Sequence, residues 1–269
     1  MKKVKIIAEI GWNHMGDMSL AKQMILAAKD SGADYVKFQT WSVSKLKPGP
    51  WDKDGRLEIY KKAELTKEMH YELKEFSSEN KIGFFSSVFN VNDVGFLSEL
   101  QPDIIKIPSH EIYNVELLKE CAKSFETILV STGASYWHEI EKIPSLIPNK
   151  KLVLMHCVSS YPCDFGRVNM KRLEDLSKLS NARLGYSGHH PDITDAMLAI
   201  SVGCEYVEKH FTIDNDLPGR DNKFAILPNK MKLLSDFRDA VEEMNNYHGR
   251  DFQDIENDTV QNYRGRWSK

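Results

Sequence analysis

YVKFQT, residues 35–40, reads as a β-strand with a charge at its centre. Its β-branched and aromatic residues favour an extended chain, and the period of two sets Val36 and Phe38 on one face and Lys37 with Gln39 on the other. Amphipathic stretches flank it on both sides, the pattern of a parallel sheet covered by helices. Lys37 and Gln39 then point into an interior, where an ammonium needs a partner or a ligand. The same reading turns Glu9 inward in IIAEIG, Lys106 inward in IIKIPS, and Glu208 with His210 inward in YVEKHF.

Outward from that strand the alternation continues along the chain. Strands are expected at 4–10, 35–40, 83–89, 104–109, 127–132, 151–158, 183–187 and 206–212. Helical periodicity falls at 18–31, 67–79, 91–100, 114–124, 137–146, 170–179, 192–202 and 229–247. Eight such units in 269 residues predict a single-domain α/β protein, a (β/α)8 TIM barrel over residues 1–249 with a polar C-terminal tail at 250–269. Asn114 and Asp192 are the expected caps of two of the helices. Segments 41–66 and 213–228 stand outside the repeat, each after a strand's C-terminal end. In a barrel that is the face where active sites form, so both are candidate walls or lids.

Composition narrows the function. The formal charge of −3 and a pI near 6.3 provide no basic excess for nucleic acid or anionic membrane. Glu9 breaks the only apolar run near the start, and no stretch reaches the roughly 18 residues of a membrane helix. A cytoplasmic enzyme of small molecules is expected. Cys121, Cys157, Cys163 and Cys204 have neither disulfide-framework nor zinc-ribbon spacing.

Two arrangements satisfy the inward charges. They can pair as a salt-bridge layer, Glu9 with Lys37 and Glu208 with Lys106, or they can hold a ligand. Hydroxyls clustered at strand ends favour the ligand: Ser86, Ser87, Ser109, Ser131, Thr132, Ser159, Ser160 and Ser187. Two lysines among hydroxyls make a site for phosphate or a phosphate-carboxylate compound. His189 and His210 end the seventh and eighth strands, neighbours in a barrel, near Glu9 and Asp221. Two imidazoles with oxygen ligands suit Mn²⁺, Mg²⁺ or Fe²⁺ rather than a closed zinc site.

The stretch AEIGWNHMGDMSLAKQMILAAKDSGADYVKFQT, followed in order by FFSSVF, IIKIPSHE, ILVSTGAS, LMHCVSSYPCD, LGYSGHH and VEKHFTIDNDLPGRD, resembles the sialic acid (N-acetylneuraminate) synthase family over residues 4–230. The resemblance implies condensation of phosphoenolpyruvate with a sugar aldehyde, usually an N-acyl hexosamine, giving a 3-deoxy-2-ulosonic acid and phosphate. It implies that Lys37, Ser87, Lys106, Ser109, Ser131, Ser159, Tyr161 and Ser187 bind phosphoenolpyruvate and that His189 and His210 ligate a divalent metal. Glu9, Gln39, Glu111, Tyr161 and Asp221 then contact the sugar or the reacting centre, with Glu9 or Glu111 handling protons.

Three departures bear on the acceptor. The family generally ends strand seven with Ser-Asp-His, where this chain has Gly188 between Ser187 and His189. It usually has Gly-Pro-Asp-His and then a serine after strand eight, where this chain has Gly219, Arg220, Asp221, Asn222 and Ala225. Its C-terminal antifreeze-like domain, which lends an arginine across a dimer, is not expected in a chain that stops at Lys269; Arg220 is the candidate substitute. A homo-oligomer stays open. So do a shorter or unacylated acceptor and a catalytically silent barrel. A Schiff-base aldolase is disfavoured because the only lysine of strand six, Lys151, lies at its N-terminal end.

Overall fold

Short runs of Val, Ile, Leu and Phe, each followed by a helix with one apolar stripe, bury both sheet faces when the sheet closes on itself. In the computed structural model, which describes residues 3–148, 151–179 and 182–267, the strands form a closed parallel barrel in sequence order. They are β1 Lys5–Gly11, β2 Tyr35–Thr40, β3 Gly83–Val88, β4 Ile104–Ile107, β5 Thr127–Ser131, β6 Leu152–Cys157, β7 Arg183–Gly188 and β8 Tyr206–His210. The helices are α1 Met18–Asp30, α2 Arg56–Ala63, α3 Lys67–Glu79, α4 Val94–Glu99, α5 Val115–Ser124, α6 Trp137–Ile140, α7 Ile143–Leu146, α8 Arg172–Ser177, α9 Thr194–Ser201, α10 Pro228–Met244 and α11 Asn257–Asn262.

The elements differ from the expected ones where proline and capping intervene. β4 stops at Ile107 because Pro108 has no N–H for the ladder. The helix expected over 137–146 is two short ones, α6 and α7, since Pro144 cannot donate to the preceding turn. The stretch 91–100 begins as a 3₁₀ turn, Val91–Asp93, before α4. Asn114 caps α5, accepting from the Leu117 N–H at 3.1 Å. Asp192 stands one residue ahead of the cap of α9, which is Ile193, and accepts from the Ile193 N–H at 2.6 Å.

Inside the barrel the layers divide by chemistry. Ile7, Phe85, Ile104, Leu129, Val153, Met155 and Tyr206 pack as an apolar plug. Two residues further along β1, β2, β4 and β8 the inward positions become Glu9, Lys37, Lys106 and Glu208, all buried. The plug closes the N-terminal end, so these charges face only the C-terminal mouth. Residues 250–267 run polar and exposed beyond α10, with Phe252, Ile255, Tyr263 and Trp267 outward; positions 268 and 269 of the expected tail lie outside the described residues. Among the described residues no helix is long and apolar enough to cross a membrane.

Closure also depends on Asp34, just before β2. Its carboxylate accepts from the Ile6 N–H at 2.9 Å, Lys5 Nζ at 3.1 Å and Arg238 Nη1 of α10 at 2.7 Å. One carboxylate thus joins the first strand, the second and the last barrel helix. Asp34→Ala leaves the Arg238 side chain, 5% exposed, without its main counter-charge. We expect a loss of about 2 kcal/mol, seen as a fall of roughly 4–8 °C in Tm; an unchanged Tm would show that strand pairing alone closes the barrel.

Candidate active site

Four charges form the floor of the mouth. Lys37 Nζ lies 2.8 Å from Glu9 Oε2 and 3.8 Å from Glu208 Oε2. Lys106 Nζ donates to both Glu208 oxygens, at 3.0 and 2.9 Å. The pairs allowed for in the sequence, Glu9 with Lys37 and Glu208 with Lys106, are therefore both present, and Lys37 links them. Because β4 and β8 lie on opposite sides of the barrel, the Lys106–Glu208 pair spans it.

The carboxylates are not equivalent. Burial pushes Glu9 up to about 7, with Lys37 opposing and the Glu208 charge adding to the rise. Burial also acts on Glu208, but Lys106 and Lys37 together, with hydrogen bonds from Lys106 and Ser187, hold it well below the usual range. Glu208 is the permanent anion, and Glu9 changes charge near neutrality. Gln39 reaches Glu9 from β2, Nε2 donating to Oε1 at 2.5 Å. Gly11 ends β1 with φ of +54°, and a Cβ there would press on Glu9 and Gln39 at 3.2 and 3.1 Å, so glycine keeps this corner open.

The hydroxyls sort into two sets. Ser87 accepts from Lys37 Nζ at 2.7 Å, and Ser187 donates to Glu208 Oε1 at 2.9 Å. Ser109 accepts from the Gly133 N–H at 3.1 Å and lies 3.0 Å from Cys157 Sγ. Ser87, Ser109, Ser131, Ser187 and Cys157 line the cavity. Ser159 is beside this lining without being part of it; a Cβ on Gly133 would meet its hydroxyl at 2.4 Å and Cys157 Sγ at 2.5 Å. Ser86, Thr132 and Ser160 belong elsewhere. Ser86 faces the helices, 2.7 Å from Thr40, Thr132 donates to the Met155 carbonyl, and Ser160 is spent on the Pro162 carbonyl. Cys157 was not among the expected site residues, although its inward position follows from Val153 and Met155 by the period of two.

β7 and β8 are adjacent and bring the His189 and His210 rings to a centroid distance of 5.4 Å. His189 Nδ1 lies 2.7 Å from the Val158 carbonyl; a carbonyl only accepts, so Nδ1 carries the proton and Nε2 keeps its lone pair. Burial lowers His189 to about 4. Burial and the neighbouring His189 carry His210 well below its ordinary value, so both rings are neutral at physiological pH. His210 Nδ1 is buried without a hydrogen bond, 3.4 Å from Asp221 Oδ2. Burial raises Asp221 to about 6, against the indole of Trp12 and the charge of Arg220. Neutral imidazoles, one with an orphaned nitrogen and a desolvated carboxylate beside it, fit a divalent cation. Among the described residues no three His, Cys, Asp or Glu side chains converge on one point, so the protein offers a histidine pair with the remaining positions open.

Tyr161 lies over this pair, its ring 4.2 Å from that of His189. Glu111, on the 3₁₀ turn Ser109–Glu111, stands at the rim, its carboxyl raised by burial. An aromatic wall also went unread in the sequence: Trp12, Trp41 and Tyr60 meet at centroid distances of 5.2 to 6.0 Å. They enclose, with Lys47, Arg56, Arg220 and Asp221, the outer part of a cavity of about 720 Å³. Asn222 is not on that wall. Fully buried, it donates to the carbonyls of Asn13 at 3.1 Å and Pro218 at 2.8 Å, joining the loops after β1 and β8.

The chain matches the sequence model of the NeuB family over residues 24–249. It is 37% identical over 250 residues to the N,N'-diacetyllegionaminic acid synthase of Campylobacter jejuni, covering 87% of this chain and 75% of that one. To the pseudaminic acid synthase of the same species it is 33% identical over 249 residues, covering 87% and 73%. The fold superposes with a TM-score of 0.87 and 32% identity on the N-acetylneuraminic acid synthetase of Leptospira borgpetersenii solved in complex with citrate, covering 99% of this chain and 93% of the other.

The raised carboxyl of Glu9 has a consequence for stability. Between pH 4.5, its ordinary value, and about 7, the folded chain keeps a proton that the unfolded chain releases, so stability falls as pH rises through that window. The loss is at most about 3 kcal/mol. Denaturant unfolding of wild type and Glu9→Gln across the window should give a steeper decline in the wild type. Equal slopes would mean that Glu9 titrates as an ordinary carboxyl.

Proposed function

We propose that this chain, which belongs to the NeuB family, condenses phosphoenolpyruvate with a sugar aldehyde of the N-acetylmannosamine type to give a sialic-acid-like 3-deoxy-2-ulosonic acid and phosphate. The observation that carries the proposal is the buried floor of Glu9, Lys37, Glu208 and Lys106, open only toward a hydroxyl-lined mouth with two neutral histidines. Phosphoenolpyruvate carries a phosphate and a carboxylate on one carbon, C2. Lys37 and Lys106 supply a cation for each, and Ser87, Ser109 and Ser131 supply donors, with Ser187, Ser159 and Tyr161 flanking them. Protonation of Glu9 leaves the floor with a net positive charge, so an entering anion favours the protonated form.

The aldehyde then sits above the floor, between the histidines and the aromatic wall, with Gln39, Tyr161 and Asp221 as its polar contacts. C3 of phosphoenolpyruvate forms the new bond to the aldehyde carbon, and the aldehyde oxygen takes up a proton. Water adds at C2, which has become cationic, and loses one proton; the C2–O bond to phosphate then breaks as the C2 hydroxyl gives its remaining proton to the phosphate and becomes the ketone, and phosphate leaves. Glu9, titrating near neutrality, is matched to these transfers, with Glu111 as a second carboxyl at the rim. Lys37 and Lys106, each beside Glu208, stabilise the phosphate and carboxylate throughout. A divalent ion such as Mn²⁺ or Mg²⁺, held by His189 and His210, would supply Lewis-acid polarisation of the aldehyde oxygen.

Phosphate release from phosphoenolpyruvate with Mn²⁺ and a panel of aldoses and N-acyl hexosamines tests the reading. Turnover is expected with an N-acyl hexosamine, and no release with any sugar aldehyde would overturn it. Lys106→Met, which removes a buried cation and strands Glu208, should cost about 2–5 kcal/mol in kcat/KM for phosphoenolpyruvate. His210→Ala should lower metal-stimulated turnover by more than ~100-fold, beyond the usual effect of losing a group that only supports a ligand; retained turnover would remove His210 from the metal site.

A further inference from the structure

β8 carries three consecutive buried polar residues, and the middle one has no part in the chemistry above. Glu208 and His210 point inward, while Lys209 points outward toward α9, 1% exposed. In the ladder Lys209 pairs directly with Gly188 of β7, so the position best placed to give it a counter-charge has no side chain. Asp195, in the first turn of α9, gives it instead. Lys209 Nζ donates to Asp195 Oδ1 and Oδ2, both at 3.0 Å, and the Tyr186 hydroxyl donates to Oδ2 at 2.8 Å. The remaining Lys209 donor goes to the His190 carbonyl at 2.6 Å.

The space is exclusive. A Cβ on Gly188 would lie 2.4 Å from Asp195 Oδ2 and 2.7 Å from the Tyr186 ring, closer than atoms approach. One carboxylate fits beside Lys209, from the strand or from the helix but not from both. The ammonium that it fixes holds both histidine-bearing segments, since His210 is the next residue on its own strand and His190, whose carbonyl it binds, follows His189. A buried lysine without its carboxylate would turn toward water and release that turn.

We propose that Asp195 is a positioning residue for the His189–His210 pair, acting through Lys209, and that Gly188 is the complementary vacancy that admits it. The inference rests on the reading of the two histidines as metal ligands. It makes residues 188 and 195 one coupled choice. Asp195→Asn should bind Mn²⁺ some 10- to 100-fold more weakly, with the apo-protein's circular dichroism unchanged. Gly188→Asp alone should also weaken binding, through the clash. The double variant Gly188→Asp/Asp195→Gly moves the carboxylate from helix to strand, frees the Tyr186 ring from its bond to Asp195 so that it can turn from the new Cβ, and should regain affinity to within about tenfold of wild type.

Mn²⁺ affinity, read from the electron paramagnetic resonance of the free ion during titration, is the measurement, because a purely structural role would shift Tm without this reciprocal recovery. Asp195→Asn binding as tightly as wild type would overturn the proposal. So would a double variant that binds no better than Asp195→Gly or fails to fold. Wild type that takes up no Mn²⁺, or takes it up equally after His210→Ala, would instead overturn the ligand reading itself, which separates the two failures.

Discussion

Lys106 Nζ, held between the two oxygens of Glu208 at 2.9 and 3.0 Å across the barrel, is the contact around which the mouth is built. Each charge alone would cost several kcal/mol to bury. The pair offsets that cost only at fixed geometry, and closure of the sheet fixes it. The residues are 102 positions apart in sequence; neither helix packing nor a local turn could bring them together. The apolar plug beneath excludes water from one side, so the four charges face only the mouth.

A neutral quartet of two acids and two bases would be a structural brace and nothing more if its members titrated far from working conditions. The asymmetry between Glu9 and Glu208 makes it more than that. Glu208 is shared by two lysines and receives the Ser187 hydroxyl, so its charge is fixed. Glu9 has Lys37 on one oxygen and a neutral amide, Gln39, on the other, too little to offset its burial. Two like groups a few residues' width apart are thus driven to opposite roles, the pattern that marks acid–base assignments in enclosed sites. Neutral His189 and His210 add no positive charge that would pull Glu9 back down.

The sequence was informative where periodicity alone decides orientation. Lys37, Gln39, Glu9, Lys106, Glu208 and His210 all face inward as the period of two requires, and the strand at 35–40 has the bounds expected of it. It was uninformative where a side chain's partner belongs to another kind of element. Ser86 reads as one of the mouth hydroxyls, yet it sits on the outer face with Thr40 and His70 of α3. The Trp12, Trp41 and Tyr60 wall comes from three loop or loop-helix positions that share no period. Asn222 read as a departure at the sugar, but its amide bridges two loops, a role invisible without the chain returning past Asn13.

Lys209 shows the same limit most sharply. Between Glu208 and His210 it reads as an outward residue with no assignment, and Gly188 reads only as a missing acid. Neither has meaning until the ladder pairs them and the helix brings Asp195 into the gap. The two faces of β8 then divide the labour. Inward, charge is arranged to meet a ligand; outward, charge is arranged to hold the strand ends where that meeting takes place. Substitution on the inner face alters what the site binds, while on the outer face a carboxylate can change its element of origin without changing its effect on the inner one. The outer face can therefore vary in sequence while the chemistry inside stays fixed, provided that one acid remains beside the lysine.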